Sequence, residues 1–236
     1  MTPATIRGLL FDKDGTLLDF DATWPPAYRA ITAALAEAAG EPALAERLLR
    51  LGGYDEGGAL DPESMLACGT TADIVAFWAA QPELAQLGGI AERIDTMFLD
   101  YATRAPAVVA DLGALFERLR GRGLRLGVAT NDSAAAAHAW LAGVGVDHLL
   151  DFVSGADSGY GAKPDPAVMH GFCAATGLAP GEVAVVGDSM RDTDLARRSG
   201  AGLMIAVLTG VTSPAQLAAH ADHVIATIAG LEAVLT

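Results

Sequence analysis

Seven polar residues in this 236-residue sequence stand where a parallel sheet does its chemistry, just past apolar runs or in a glycine- and proline-marked loop. Asp12 and Asp14 follow Ile6 to Phe11, and Thr130 and Asn131 follow Leu124 to Ala129. Lys163 lies in Gly-Ala-Lys-Pro, and Asp188 and Asp192 follow Val183 to Val186. Residues just beyond the carboxyl ends of such strands line the ligand crevice of an open sheet. Carboxylates gathered within about 3 to 5 Å cannot all stay ionised unaided, and a divalent cation is the simplest remedy. A set of hard oxygen donors without Cys or His selects Mg2+ over zinc.

Mg2+ beside a carboxylate, a lysine and a glycine turn with outward N–H groups suits phosphoryl transfer. Asp12 is placed to attack phosphorus in line and form an aspartyl-phosphate. Asp14 is placed to protonate the leaving oxygen and later to deprotonate the hydrolytic water. Gly15, Thr130, Asn131 and Lys163 are the phosphate-binding candidates, with the Thr130 hydroxyl and the Lys163 ammonium on the equatorial oxygens. Asp12, Asp14, Asp188 and Asp192 are the metal candidates; Asp192, one helical turn past Asp188, would hold the metal or its water.

These residues need a scaffold, and the hydrophobic pattern supplies one. Strands are expected at Ile6 to Phe11, Leu124 to Ala129, Asp151 to Val153, Val183 to Val186 and Leu203 to Leu208. Helices are expected around Leu112 to Leu119, from Ser133, from Pro164 to Gly177 and up to Gly200. That alternation predicts parallel βαβ units. Residues 19 to 103 have helical spacing instead: Tyr28, Ile31 and Leu35; then Leu44, Leu48 and Leu51; then Ile94, Met97, Phe98 and Tyr101. Thr70 and Asp73 form a capping-box pattern ahead of Ile74, Phe77 and Trp78. The expected architecture is α/β: a doubly wound, Rossmann-like parallel-sheet core of residues 1–18 and 104–236, with an all-helical domain of residues 19–103 inserted into it.

Asp12-Lys-Asp14-Gly-Thr16, Thr130, Lys163 in Gly-Ala-Lys-Pro, and Gly187-Asp188-Ser-Met-Arg-Asp192 resemble, in this order, the four motifs of the haloacid dehalogenase superfamily. The likeness is greatest to phosphoglycolate-phosphatase-like members, and the helical insert matches that family's cap in position and size. The resemblance implies a nucleophile at Asp12, an acid/base at Asp14, and Mg2+ held by Asp12, the main-chain carbonyl of Asp14 and Asp188. It also implies a small phosphomonoester as substrate. An Asp at position 14 favours a phosphatase or a phosphomutase over a dehalogenase or phosphonatase, which need no acid for an ester oxygen. A sugar phosphomutase is therefore the nearest alternative. A phospho-signalling receiver is the more distant one, disfavoured by chain length and by Ser154-Gly155 where a receiver needs an aspartate.

Composition sets outer bounds. With 52% hydrophobic and 19% charged residues the chain can bury an ample core, which excludes intrinsic disorder. A net charge of −14 argues against nucleic acid or an anionic membrane as a partner. Met1 to Arg7 has no apolar signal core, no apolar stretch is long enough to span a bilayer, and Cys68 and Cys173 suggest neither a zinc site nor a disulfide framework. A cytoplasmic setting is expected. Residues 19–103 hold 14 acids against four arginines, which predicts a leaving group with little negative charge. Lysine is scarce: Lys13 and Lys163 accompany 13 arginines. Lys163 has a chemical place, whereas Lys13 is expected to point away from the site as a structural or solvated residue. Trp24, Trp78 and Phe98 are expected to pack the helical segment.

Overall fold

The computed structural model describes residues 5–235; the outermost expected bounds, 1 and 236, and most of Met1 to Arg7 lie outside them. Among the described residues six strands form one parallel sheet in the order β3-β2-β1-β4-β5-β6: β1 Gly8–Phe11, β2 Arg125–Ala129, β3 Phe152–Ser154, β4 Val183–Gly187, β5 Leu203–Val207 and β6 His223–Ile225. The chain steps outward from β1 on one side and restarts at β4 on the other. The crevice at this reversal opens between the two central strands, at their carboxyl ends.

The central strands β1 and β4 are buried because both faces are covered. Leu9 and Phe11 enter one core with Val128 and Val186, while Leu10 enters the other with Val185 and Phe172. Phe11 is in register with Val128 and with Val186, so Asp12, Thr130 and Asp188 leave the sheet within two residues of a common line.

Between β1 and β2 lie α1 Phe20–Ala39, α2 Leu44–Gly52, α3 Met65–Cys68, α4 Thr71–Ala79, α5 Ile90–Arg104 and α6 Leu112–Gly121. The starts of α1 and α4 carry side-chain caps. Asp19 accepts the Ala22 amide at 3.0 Å to cap α1, and Thr70 and Asp73 close the expected capping box on α4. Trp24, Tyr28, Trp78 and Phe98 form one aromatic cluster joining α1, α4 and α5, with Trp78 and Phe98 stacked at 5.7 Å. The chain crosses into and out of this helical segment side by side: the Asp19 amide donates to the Pro106 carbonyl at 2.9 Å, and the Val108 amide donates to Leu17 at 2.8 Å.

The rest of the chain supplies α7 Ala134–Gly143, α8 Ala167–Thr176, α9 Met190–Ser199, α10 Pro214–Ala218 and α11 Leu231–Val234. Two expectations need correcting, and one strand was not foreseen. Leu51 is not on the packed stripe of α2 but 51% exposed. The helix expected from Pro164 starts at Ala167, where the Asp165 carboxylate accepts the Ala167 amide at 2.9 Å. β6 gave no apolar run because His223 and Val224 are exposed at the sheet edge. Among the described residues no helix is long and apolar enough to cross a membrane.

Candidate active site

Asp12 stays on the line of β1, its amide donating to the Val186 carbonyl at 2.8 Å. The chain then turns sharply, with the amides of Thr16, Leu17 and Leu18 converging on the Lys13 carbonyl at 2.9 to 3.3 Å. Gly15 has φ +88, and a Cβ there would stand 2.7 Å from an Asp188 oxygen. The turn therefore needs glycine for both its backbone and its neighbour. Its N–H is not free for a phosphate, because it donates to the Leu18 carbonyl at 2.8 Å.

Oxygens of Asp12, Asp188 and Asp192 lie within 4.8 Å of one another, and all three residues are buried. Among the described residues one ammonium is bonded to the cluster: Lys163 donates to Asp12 Oδ1 in a short contact and to Asp192 Oδ1 at 2.7 Å. Asp192 does two jobs, since its Oδ2 accepts the amide and hydroxyl of Ser189 at 3.1 and 2.5 Å and so fixes the first turn of α9. Asp188 has no such cation; its hydrogen bond comes from the Thr16 hydroxyl at 3.4 Å.

This shortage of positive charge shows in the acidities. Burial pushes Asp12 up to about 6, with the Lys163 ammonium opposing the shift and Asp192 and Asp14 adding to it. Burial, then Asp12 and Asp192, holds Asp188 well above the usual carboxylate range. Lys163 is raised despite a burial penalty, because Asp12 and Asp192 outweigh it. Three buried carboxylates facing one ammonium, all oxygen donors, suit a hard divalent cation.

Asp14 is turned away from that trio. Its Oδ1 accepts from Lys13 Nζ at 2.8 Å and from the Trp24 indole N–H at 3.0 Å; its Oδ2 accepts from the Thr130 hydroxyl at 2.9 Å. Its carboxylate is therefore not among the oxygens of that trio. The Thr130 hydroxyl proton is likewise committed to Asp14 rather than free. Asn131 is a tie-post: its Nδ2 donates to the Cys68 carbonyl at 3.2 Å, and its Oδ1 accepts the Lys163 amide at 2.8 Å.

Lys13 reverses its expectation. It is fully buried, bonded to Asp14 and, at 3.1 Å, to Asp132, and it does not point away from the site. Its scarcity was the available signal. Asp132 was missed because an acid at a helix start is commonplace; here it is 6% exposed and accepts the Thr71 hydroxyl at 2.8 Å. Trp24 packs the helical segment as expected, and its N–H also reaches the site.

A cavity of about 70 Å³ lies over these groups. Its floor is Asp12, Asp14, Lys163 and Asp188; its roof comes from the helical segment, through residues such as Trp24, Tyr28, Leu66, Ile74 and Phe98. Among the described residues no roof residue lining the cavity is charged. The acid excess of residues 19–103 therefore faces elsewhere. One further cation lines the cavity, Arg191 of α9, whose Nη1 donates to the Lys163 carbonyl at 3.2 Å.

Comparison with known proteins agrees with this geometry. The profile of the haloacid dehalogenase-like hydrolases matches residues 6–200. The chain is 33% identical over 217 residues to a phosphoglycolate phosphatase of Rhodospirillum rubrum, covering 86% of this chain and 79% of that one. It is 28% identical over 203 residues to an N-acetylmuramic acid 6-phosphate phosphatase of Pseudomonas putida, covering 83% and 80%. In fold it is similar to a haloacid dehalogenase-type phosphatase from Thermococcus onnurineus, with a TM-score of 0.71, 23% identity and 98% of each chain covered.

Proposed function

The chain belongs to the haloacid dehalogenase-like hydrolase family, and from that premise we propose that it is a Mg2+-dependent phosphatase of small-metabolite phosphomonoesters working through an aspartyl-phosphate. The observation that carries this is the contrast between two aspartates two residues apart. Asp12 sits in a buried, cation-poor trio beside Lys163, while Asp14 is held outside it by neutral and cationic donors.

An Asp12 oxygen bonds to phosphorus as the phosphorus–oxygen bond to the leaving group breaks, and Asp14 gives its proton to the departing oxygen. Water then attacks the same phosphorus, its proton passes to Asp14, and the bond to Asp12 breaks to release phosphate. Lys163 meets charge on the phosphoryl oxygens and holds Asp12 in place. Asp12, the main-chain carbonyl of Asp14 and Asp188 would hold Mg2+, with Asp192 behind them. Bound there, the metal would neutralise charge on the transferring phosphoryl group. The helical segment acts as a cap that keeps bulk water off the intermediate. A cytoplasmic setting accompanies this function, supported by two free cysteines.

The test is phosphate release from a panel of phosphomonoesters with and without Mg2+, alongside Asp12→Asn. Wild type should release phosphate only with the metal, and Asp12→Asn should lose about 10⁴-fold or more in kcat. Full activity in Asp12→Asn would remove the nucleophile assignment. Isomerised sugar phosphate in place of free phosphate would make the chain a mutase.

A further inference from the structure

The two lysines of the chain are both buried at this site, and phosphoryl transfer uses one of them. Lys13 sits in a second network, parallel to the first. Its ammonium donates to Asp14 Oδ1 at 2.8 Å and to Asp132 Oδ2 at 3.1 Å, 5.8 Å from the centre of the Trp24 ring. The Trp24 indole donates to the same Asp14 oxygen at 3.0 Å. Asp132 is fixed in turn by the Thr71 hydroxyl at 2.8 Å and the Ser133 amide at 2.7 Å.

The chemistry of the donors gives this network a direction. An ammonium and an indole N–H can donate but not accept. Asp14 Oδ1 is therefore locked as an acceptor, and Oδ2, on the side of the Thr130 hydroxyl, is the oxygen left to pass a proton. An exposed carboxylate would rotate among orientations, whereas a carboxylate held at both oxygens by three donors has one. Both outer ends of the network, Trp24 in α1 and Thr71 in α4, belong to the helical segment, so the orientation is set by core and roof together.

We propose that Lys13 and Trp24 are positioning residues that clamp the Asp14 carboxylate in its proton-transfer orientation, with Asp132 as the counter-ion that keeps Lys13 in place. This rests on Asp14 being the proton donor to the leaving group.

A clamp on a general acid matters in proportion to how much the leaving group needs a proton. Ethoxide needs one, whereas acetate departs without it. The measurement is kcat/KM for ethyl phosphate and for acetyl phosphate, which reports on transfer to Asp12 and not on the later hydrolysis. Asp14→Asn should lose about 10² to 10⁴ more on ethyl phosphate than on acetyl phosphate. Trp24→Phe, which keeps the ring and removes the donor, should shift the same ratio by about 3- to 10-fold. Lys13→Met with Asp132→Asn, which keeps the buried charge balanced, should shift it by about tenfold or more. If these variants lose equally on both substrates while Asp14→Asn discriminates, the clamp is overturned and the residues are structural. If Asp14→Asn does not discriminate, the proton-donor role falls and the clamp with it. Should the double variant fail to fold, Trp24→Phe alone decides.

Discussion

The floor and the roof of the cavity are built on opposite plans. The floor is a dense array of buried charge, each group oriented by a named partner. The roof is uncharged where it faces the cavity and is held by aromatic packing, although the segment that forms it carries 14 acids against four arginines. Chemistry that needs charge is confined to the rigid ends of the sheet. The roof contributes shape, dryness and hydrogen bonds through Trp24, Thr71 and the Cys68 carbonyl.

The largest effect that would sharpen this contrast comes from the floor. Lys163→Met leaves three buried carboxylates without their ammonium and should cost about 3 to 5 kcal/mol in urea unfolding, since breaking a buried pair strands its partners. An unchanged midpoint would mean that the trio is solvated and the floor is not the dry array described. Metal dependence comes next. A carboxyl whose acidity is weakened by folding, as in Asp12 at about 6 and Asp188 well above its ordinary value, stabilises the fold while protonated. That stabilisation is complete below the unfolded value and is lost as pH rises through the folded one. Metal-free protein should therefore lose stability as pH rises above about 4 and through about 6, where Asp12 ionises, and Mg2+ should raise Tm more at about pH 7.5 than at about pH 4.5.

The roof predicts a smaller effect. Facing the uncharged side chains of the roof, a neutral leaving group should be favoured over the carboxylate of phosphoglycolate by about tenfold in kcat/KM, because the roof offers a buried carboxylate no cation. A preference for phosphoglycolate would instead mean that Arg191 receives that carboxylate, and Arg191→Met would abolish it. The smallest effect belongs to the outside of the segment. Glu56 is 89% exposed, so Glu46→Gln with Glu56→Gln should leave kcat/KM unchanged, and a clear change would show that the acid excess reaches the cavity after all.

The same contrast explains what the sequence made legible. The Asp12, Asp188 and Asp192 cluster could be read because polar residues after buried strands have few other reasons to be there, while Lys163 stood out as a rare lysine in a glycine- and proline-marked loop. The roof could not be read, because Trp24 and Phe98 obey the same helical period whether they face a core or a ligand. Lys13 and Asp132 fell between the two. Their positions adjoin the motifs, but only the tertiary pairing across 119 residues reveals their purpose. Gly15, Thr130 and Asn131 were found as positions, yet their polar groups proved to be spent on holding neighbours rather than held in reserve.

The side-by-side crossings at Leu17 to Asp19 and Pro106 to Val108 have a consequence for exchange of parts. Because the chain leaves and rejoins the sheet at one point, held by its own backbone hydrogen bonds, the sheet constrains where the helical segment attaches but not how long it is. A segment of different size or lining grafted between those two crossings, with its packing on α7 kept, should leave the register of β1 and β2 unchanged. The charged floor and the uncharged roof of the cavity are thus free to diverge at different rates, joined by the packing of α5 on α7 and by the hydrogen bonds of Trp24, Thr71 and Asn131.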